Sequence, residues 1–346
     1  MQKKRVLIIG SGSRVQKTIL PALACLSDTF SILGICSRQQ KQVVVPGQLA
    51  PISTISDLGG IDFKSIDIII VAITSLQVLP TIKLLIAHDV RQSTLFLDTP
   101  VLPPKDIGGL RLLSRFRRVY VSEDYIGLTS YDIISNLIRR GVIGKLRYIY
   151  LFHSGYKYHA LALLKKLTSS SYIRSARLIK RNGEIHEMLI SLPNGVYASI
   201  IGPRDYSIGR FLIVGEKGAI ADYPISSVPV TTLHYLYRKN IYIGVRLTGD
   251  VEESMIIQNK RYQALSSQFI DTTTINCQKI EGFMRLLVSS LETTPRYAYS
   301  CDEGMYDAIV SIILDKFSFF LDYSVPLHRY SIVQLAIRLA KRLMPV

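Results

Sequence analysis

The chain has 346 residues, of which 48% are hydrophobic and 20% are charged. This composition excludes a disordered chain, and the length predicts two domains with large cores. The formal net charge of +16 favours anionic ligands, but the cations are scattered and no nucleic-acid-binding motif accompanies them, so nucleic acid is not a predicted partner.

The first forty residues predict a strand, a glycine turn, a helix and a second strand. Residues 5–9 are a short β-branched apolar run that is typical of a buried parallel strand. Gly10 and Gly12 follow directly, residues 15–26 carry apolar side chains on one helical face, and residues 30–36 form the next apolar strand. This order predicts the first half of a dinucleotide-binding domain.

The glycine turn favours a specific chemistry. Gly10 allows the chain to leave the strand sharply, and Gly12 lets bare backbone approach a pyrophosphate at the helix N-terminus, where N–H groups are free. The third position of the motif is Val15, which weakens the signal, so an ordinary turn with two glycines is the alternative. The predicted phosphate-binding residues are Gly10, Ser11, Gly12, Ser13, Arg14 and Val15.

The end of the second predicted strand indicates which dinucleotide is bound. An NAD site favours an acidic residue there, whereas this chain has Cys36, Ser37 and Arg38. Ser37 can donate a hydrogen bond to a 2′-phosphate, and Arg38 can pair with the same phosphate. We therefore predict NADP as the cofactor, with NAD as the second choice. A solvated arginine at a strand end is the alternative interpretation of Arg38.

Further strands and helices complete the N-terminal domain. Because helices alternate with strands, the sheet is predicted to be parallel and doubly wound, as in a Rossmann domain spanning residues 1–122. Thr74 and Ser75 follow one of these strands and are predicted to border the cofactor. The predicted strands are 67–74, 94–98 and 118–122, and the predicted helices are 79–87 and 103–115.

The pattern changes after residue 122. Several strands follow one another without helices between them, and Asn182-Gly183 and Asn194-Gly195 are typical hairpin turns. We predict an α+β domain over residues 123–330 with an open, mainly antiparallel sheet. A basic amphipathic helix in the segment 331–346 is expected to pack on its own domain rather than on a membrane or partner. The predicted strands are 145–152, 173–181, 184–192, 195–201, 210–214, 219–222 and 232–247 in pieces, and the predicted helices are 131–140, 158–167, 275–291 and 306–323.

The order of these elements resembles the glucose–fructose oxidoreductase, inositol dehydrogenase and MocA family (Gfo/Idh/MocA) over nearly the whole chain. The stretches that carry the resemblance are GSGSRV at the nucleotide turn, RRGVIGKLRYIYL at the start of the second domain, SLPNGVYASI and FLIVGEKGAI in its sheet, and the C-terminal helices beginning FMRLLVSSLE. The resemblance implies a Rossmann domain joined to a sheet domain, a nicotinamide cofactor, and hydride transfer involving a small-molecule substrate.

The catalytic motifs of the family are altered in this chain. Where the family has Glu-Lys-Pro, whose lysine often shuttles a proton, this chain has Asp98, Thr99 and Pro100, which are predicted to border the nicotinamide. An alkyl hydroxyl does not ionise near neutral pH, so Thr99 can donate one hydrogen bond but cannot act as a general acid. A histidine of the family matches His159, whereas its aspartate position is Ala162.

His159 is the candidate proton donor, because an imidazole titrates near neutral pH, and Tyr158 beside it is a candidate partner. A structural histidine that caps the helix or packs beneath it is the alternative. Relatives that lack the lysine, such as biliverdin reductases and thiazolinyl imine reductases, resemble this chain in that respect and reduce conjugated C=C or C=N bonds.

The sequence thus predicts an NADP-preferring oxidoreductase that acts on a carbonyl, imine or conjugated double bond. A catalytically inactive member that binds nucleotide or serves as a scaffolding subunit is the alternative. We expect a homo-oligomer, either a dimer or a tetramer, because the outer face of the second sheet needs cover. No signal peptide, membrane span or metal-ligand spacing is recognised, and the four cysteines are expected to be reduced thiols of a cytoplasmic protein.

Overall fold

The computed structural model describes residues 2–56, 59–88, 90–155, 157–180, 185–205, 207–225 and 230–321. The predicted turn at Asn182-Gly183 and the predicted C-terminal helix within 331–346 lie outside these residues. The described residues form two compact units, one comprising 2–123 and 258–305, the other 124–257 and 306–321. Residues 258–305, which we predicted in the second domain, therefore pack with the first unit.

The strands of the two units are numbered in chain order. They are β1 (Lys4–Ile9), β2 (Phe30–Cys36), β3 (Gln42–Val43), β4 (Ile52–Ser53), β5 (Ile68–Val71), β6 (Thr94–Asp98), β7 (Arg118–Ser122), β8 (Leu146–Phe152), β9 (Ser175–Lys180), β10 (His186–Ser191), β11 (Tyr197–Gly202), β12 (Arg210–Gly215), β13 (Ala219–Ala221), β14 (Val230–Arg238), β15 (Ile241–Thr248), β16 (Glu253–Ile256) and β17 (Phe319–Leu321).

The α-helices are numbered in the same way. They are α1 (Leu20–Cys25), α2 (Ser75–Ala87), α3 (Thr129–Arg139), α4 (Lys157–Thr168), α5 (Lys260–Leu265), α6 (Thr274–Ser289) and α7 (Cys301–Phe317). A π-helical turn, Val15–Ile19, leads into α1, and 3₁₀ helices occupy Phe63–Ser65, Pro104–Arg115, Asp124–Ile126 and Ser266–Gln268.

The first unit is built on a parallel sheet with the strand order β2-β1-β5-β6-β7. Every residue of β5 is buried, as expected for a central strand covered on both faces. Beyond β2, Ile55 forms a single parallel bridge with Cys36. The predicted Rossmann-type sheet is confirmed, and its switch point lies between β1 and β5, where the chain order reverses direction.

The irregular start of the first helix has a cause in the sequence. Pro21 lacks an N–H group, so it cannot donate to the carbonyl of Lys17, and its ring crowds that carbonyl. The backbone widens into the π turn Val15–Ile19, and the N–H of Leu20 donates to the carbonyl of Val15. The Lys17 carbonyl therefore receives no hydrogen bond from position 21, the donor of a regular α-helix.

Asn276 of α6 supplies the missing partner. Its Nδ2 donates to the Lys17 carbonyl at 2.8 Å, and its Oδ1 accepts from Thr18 Oγ1 at 3.2 Å. Asn276 is 6% exposed; its hydrogen bond with Thr18 is buried and that with Lys17 is part-buried. They explain in part why α6 packs with the nucleotide-turn helix, far from it in sequence.

The second unit is organised around one sheet. Among the described residues its order is β16-β15-β14-β13-β12-β8-β11-β10-β9-β17, and its neighbours are antiparallel except for β8–β11 and β13–β14. The predicted open, mainly antiparallel sheet is confirmed. Gly195 has φ +78°, as the glycine of the predicted Asn194-Gly195 hairpin requires.

Two ion pairs hold α4 against α7 within the second unit. Lys165 Nζ lies 2.8 Å from Asp307 Oδ1, and both side chains are nearly inaccessible. Lys157 pairs with Asp315 near the other end of the contact. The positions rise along one helix as they fall along the other, so the helices run antiparallel. This contact fixes the helix that carries His159.

The C-terminal part of the prediction needs one correction. A helix at 306–323 was expected, but α7 begins at Cys301 and ends at Phe317. Ser318 has φ +57°, which ends the helix, and β17 then adds to the edge of β9. In this edge pairing the N–H of Leu178 donates to the Ser318 carbonyl at 2.8 Å, an interaction that local apolar periodicity does not reveal.

The described cysteines are unpaired thiols. Burial raises the pKa of Cys25 to about 12 and that of Cys36 to about 11, so both thiols stay protonated at neutral pH. Within the described residues, no helix is both long and apolar enough to cross a membrane.

Replacing Asn276 tests the link between α6 and the π turn. We expect Asn276→Ala to lower the free energy of unfolding by about 1–3 kcal/mol, because the part-buried Lys17 carbonyl and the buried Thr18 hydroxyl each lose a side-chain partner. Thermal melting measures the change. Asn136→Ala is the matched control, since its contact with Arg139 lies at the surface. Equal melting temperatures for the two variants would contradict the proposed link.

Candidate functional site

The predicted cofactor residues of the first unit lie along one edge of its sheet. In parallel strands the carboxyl ends share an edge. Along this edge, Ser37 follows β2, Gly10 follows β1, Thr74 follows β5 and Asp98 ends β6. The structure therefore brings together residues that are separated by up to ninety positions in the sequence.

The two glycines of the turn have different surroundings. Gly10 has φ +117°, and a Cβ there would collide with the Ala72 carbonyl oxygen, so only glycine fits. An ideal Cβ on Gly12 would meet no other heavy atom within 4 Å. Gly12 and Ser13 are exposed, and the helical backbone begins at Ser13. The turn thus offers uncovered backbone at a helix N-terminus, the geometry that suits a phosphate.

Two side chains donate to the carbonyl of Ser11 in this turn. Gln16 Nε2 and Lys41 Nζ each lie 2.9 Å from the Ser11 oxygen. Lys41 comes from the segment after β2, so an ammonium group is brought to the turn from outside the glycine motif. Sequence reasoning missed Lys41, because its approach depends on how the chain folds back after Ser37.

Arg14 reaches from the turn towards the end of β6. Its Nε lies 3.3 Å from Asp98 Oδ1, and each side chain is 20% exposed. The guanidinium carbon lies 5.8 Å from the ring centroid of Phe283 on α6, a cation–π distance. Phe283 itself is buried. The predicted phosphate-binding arginine is therefore paired with the first residue of the Asp98-Thr99-Pro100 triplet.

Ser37 is part of a hydrogen-bond network in its own loop. Its Oγ lies 2.8 Å from Thr54 Oγ1 and also contacts the Gln39 carbonyl. Thr54 Oγ1 accepts from the N–H of Lys41 at 2.9 Å. Arg38 is exposed at the same strand end. Ser37 shapes the loop, and Arg38 and Lys41 provide its positive charge.

The remaining predicted residues of the edge follow β5 and β6. Thr74 is the N-cap of α2 and Ser75 is its first residue. Thr99 is half-buried, and its peptide bond to Pro100 is cis. Val15, the third motif position, is fully buried within the π turn. A hydroxyl and a carboxylate, without a lysine, thus occupy the end of β6.

His159 and Tyr158 belong to the second unit, in the first turn of α4. The His159 imidazole is 7% exposed and stacks on Tyr125, with ring centroids 4.9 Å apart and planes at 11°. The Tyr158 ring also contacts the imidazole, and the two ring centroids lie 4.4 Å apart. Ala162, one turn further along, is fully buried. The imidazole is held in a fixed plane by aromatic neighbours.

The arrangement of the first unit is suited to binding phosphate esters. The backbone of Gly12 and Ser13 is exposed, Lys41 contacts the Ser11 carbonyl of the turn, Arg14 is paired with Asp98, and Arg38 is exposed at the end of β2. No group of three or more His, Cys, Asp or Glu residues that could hold a metal ion occurs in the described part of the chain.

The sequence matches no family model and no curated protein. Solved structures nevertheless share its fold. They include myo-inositol 2-dehydrogenase from Lactobacillus plantarum (13% identity, TM-score 0.60, covering 92% of this chain and 97% of that one). An oxidoreductase from Agrobacterium radiobacter, in complex with NAD+, L-tartaric acid and magnesium, matches at 13% identity and TM-score 0.59, covering 90% and 95%. A super-repressor mutant of Gal80p from Saccharomyces cerevisiae matches at 13% identity and TM-score 0.63, covering 92% and 98%.

These matches extend over both units of the chain and over nearly the whole of each solved structure. They confirm the fold that the resemblance to the Gfo/Idh/MocA family implied, a Rossmann-type domain combined with an open-sheet domain. The chain has the architecture of these solved structures.

Proposed function

We propose that the protein is an NADP-preferring oxidoreductase that transfers hydride between the nicotinamide and a carbonyl, imine or conjugated double bond of a small molecule. One observation carries the proposal: the backbone at Gly12 faces open space at the start of a helix. The oxidoreductase structures that share the fold, one of them in complex with NAD+, support the same class of activity.

The residues of the turn fit a dinucleotide. Gly12 and Ser13 present exposed backbone, and Arg14 and Lys41 supply cations for a pyrophosphate. Thr74 and Ser75 would border the cofactor, and Asp98, Thr99 and Pro100 the nicotinamide. When bound, a nicotinamide cofactor donates or accepts a hydride at its ring carbon.

The preference for NADP rests on charge at the end of β2. No carboxylate stands there to accept a hydrogen bond from a ribose hydroxyl, and Arg38 and Lys41 supply positive charge instead. A 2′-phosphate carries negative charge that an arginine can pair with in bidentate geometry. The Ser37 hydroxyl has partners within its own loop, so in this proposal its main role is to hold the loop.

The proton that accompanies hydride transfer is assigned to His159, assisted by Tyr158. An imidazole can give or take a proton near neutral pH, and the stacked Tyr125 ring fixes its orientation. Thr99 can donate a hydrogen bond to a substrate oxygen or nitrogen but supplies no proton.

A nucleotide-binding protein without turnover is the second candidate. The replacement of lysine by Thr99 and of a carboxylate by the fully buried Ala162 favours it. A super-repressor mutant of Gal80p shares the fold, so this architecture also occurs in a protein named as a repressor rather than as an oxidoreductase.

The homo-oligomer, dimer or tetramer, remains a prediction, and exposed apolar side chains on the second sheet offer a surface for it. Tyr197 on β11 lies opposite Tyr148 on β8, and Leu189 lies on the adjacent strand β10. These three side chains are 60%, 36% and 39% exposed. An aromatic and aliphatic sheet face of this kind favours contact with a second copy. The cytoplasmic location also remains a prediction.

The two glycines give a matched test of nucleotide binding. We expect Gly12→Ala to keep the wild-type melting temperature, because its Cβ meets open space, but to raise the Kd for NADPH by about tenfold or more, ~1.4 kcal/mol, because the methyl group lies where phosphate would approach. Gly10→Ala should instead lower the melting temperature. NADPH fluorescence titration and thermal melting measure both effects. Wild-type protein that binds no pyridine nucleotide at millimolar concentration would refute the proposed function.

Replacement of Arg38 tests the choice of dinucleotide. We expect Arg38→Ala to raise the Kd for NADPH by about tenfold, since a hydrogen bond to a charged group contributes about 1.5–3 kcal/mol, while the Kd for NADH stays within about twofold. Arg115→Ala is the control, an exposed arginine at the end of the 3₁₀ helix Pro104–Arg115. Equal losses for both nucleotides would argue against recognition of the 2′-phosphate.

Replacement of His159 separates the two candidate functions. For an enzyme, His159→Gln should leave the Kd for NADPH unchanged and slow NADPH oxidation by about 10²–10⁴-fold, measured against a panel of carbonyl, imine and enone compounds. His234→Gln, an exposed histidine of the same unit, is the control. Turnover that survives in His159→Gln would remove His159 from the mechanism. Nucleotide binding without wild-type turnover on any compound would favour the second candidate.

A further inference from the structure

The Arg14 side chain begins at the nucleotide turn and ends two strands away. Arg14 follows β1, Asp98 ends β6, and β5 lies between these strands. Neighbouring strands are about 4.8 Å apart, so β1 and β6 are separated by about 10 Å. The Arg14 side chain therefore extends past the carboxyl end of β5, next to the crevice between β1 and β5.

The guanidinium is held in this position from two sides. Asp98 Oδ1 approaches its Nε at 3.3 Å, and the buried ring of Phe283 lies 5.8 Å from its central carbon. Each partner of the ion pair is only one-fifth exposed. Partial burial strengthens such a pair relative to one in open solvent, because less water screens the two charges.

A pyrophosphate would compete directly with this carboxylate. It carries more negative charge than Asp98, and its oxygen atoms match the fork of an arginine. A pyrophosphate seated on the Gly12 backbone lies on the β1 side of the crevice, whereas Asp98 holds the guanidinium on the β6 side. Binding then requires Arg14 to exchange one anion for the other.

We propose that Asp98 is an internal competitor of the cofactor: it holds Arg14 in the nucleotide-free protein, releases it to the pyrophosphate, and thereby sets the nucleotide affinity. This inference rests on the proposed function and changes the role of Asp98 from a nicotinamide neighbour to a residue that positions Arg14. A carboxylate freed by the exchange is left at the end of β6 beside Thr99.

Neutralising Asp98 tests the competition. We expect Asp98→Asn to lower the Kd for NADPH by about fivefold, because the guanidinium loses its attraction to the Asp98 charge; a fivefold change is ~1 kcal/mol. Asp271→Asn is the matched control. It removes a carboxylate that pairs with Lys17, one turn further along the same helix, at 3.1 Å. Its effect on the Kd should stay within about twofold.

Two further measurements test whether the change in Kd caused by Asp98→Asn depends on Arg14. In the Arg14→Gln background, Asp98→Asn should no longer lower the Kd, as a double-mutant cycle requires of two coupled residues. The affinity for 2′-AMP, which has no pyrophosphate, should be the same in wild type and Asp98→Asn. Both titrations use the full-length protein, with melting temperatures as a check on folding.

The outcomes separate the inference from the function on which it rests. A wild-type protein that binds NADPH, with an Asp98→Asn variant of equal or weaker affinity, overturns the competition while nucleotide binding stands. A gain in affinity that persists in the Arg14→Gln background, or that extends to 2′-AMP, also overturns the competition. The gain would then come from the general change of charge. A wild type that binds neither NADPH nor ADP-ribose refutes the proposed function itself.

Discussion

The close approach of two backbones, at Gly10 and Ala72, is the constraint on which the candidate site depends. The N–H of Ala72 donates to the Ile9 carbonyl at 2.8 Å, and the space above Gly10 is filled by the Ala72 carbonyl. Since β1 and β5 meet so tightly, the chain must turn away at once after Gly10. That turn leaves Gly12 and the start of the helix facing outwards at the switch point of the sheet.

Charge is distributed around this turn by elements far apart in sequence. Arg14 leaves from the helix, Lys41 returns from the segment after β2, and Arg38 is exposed at the strand end. An anion at the turn therefore meets cations from more than one direction, in addition to the helix dipole. The basic character of the chain, +16 overall, is in keeping with a phosphate-bearing ligand at this edge.

Much of the fold could be predicted because local signals agree with it. The sequence predicts a strand, a glycine turn and a second strand over residues 5–36, and the structure has β1, Gly10 with Gly12, and β2 in these places. The hairpin at Asn194-Gly195 is likewise specified by its own two residues. The predicted end of α7 was wrong because the apolar residues after Phe317 are compatible with either a helix or a strand. They pair as a strand because the edge of β9 is available to them.

The candidate site was predicted in position but not in its contacts. The order of the strand ends follows from the alternation of strands and helices, so the residues at the edge could be named in advance. The Arg14–Asp98 pair, the Lys41 contact with Ser11 and the Asn276 bonds join segments separated by about 30 to 260 residues. Such pairings depend on side-chain reach across folded elements, which no local pattern encodes.

The π turn ahead of Pro21 also has a consequence for comparison with other proteins. A π turn accommodates one more residue than an α turn, so every position after Val15–Ile19 is displaced by one place, or about 100° around the helix axis. An alignment that follows a regular nucleotide-binding helix without a gap will therefore equate each residue of α1 with one that lies about 100° away around the helix axis. The counterpart of Leu23 in a helix of ordinary pitch should therefore be sought one position earlier than such an alignment places it.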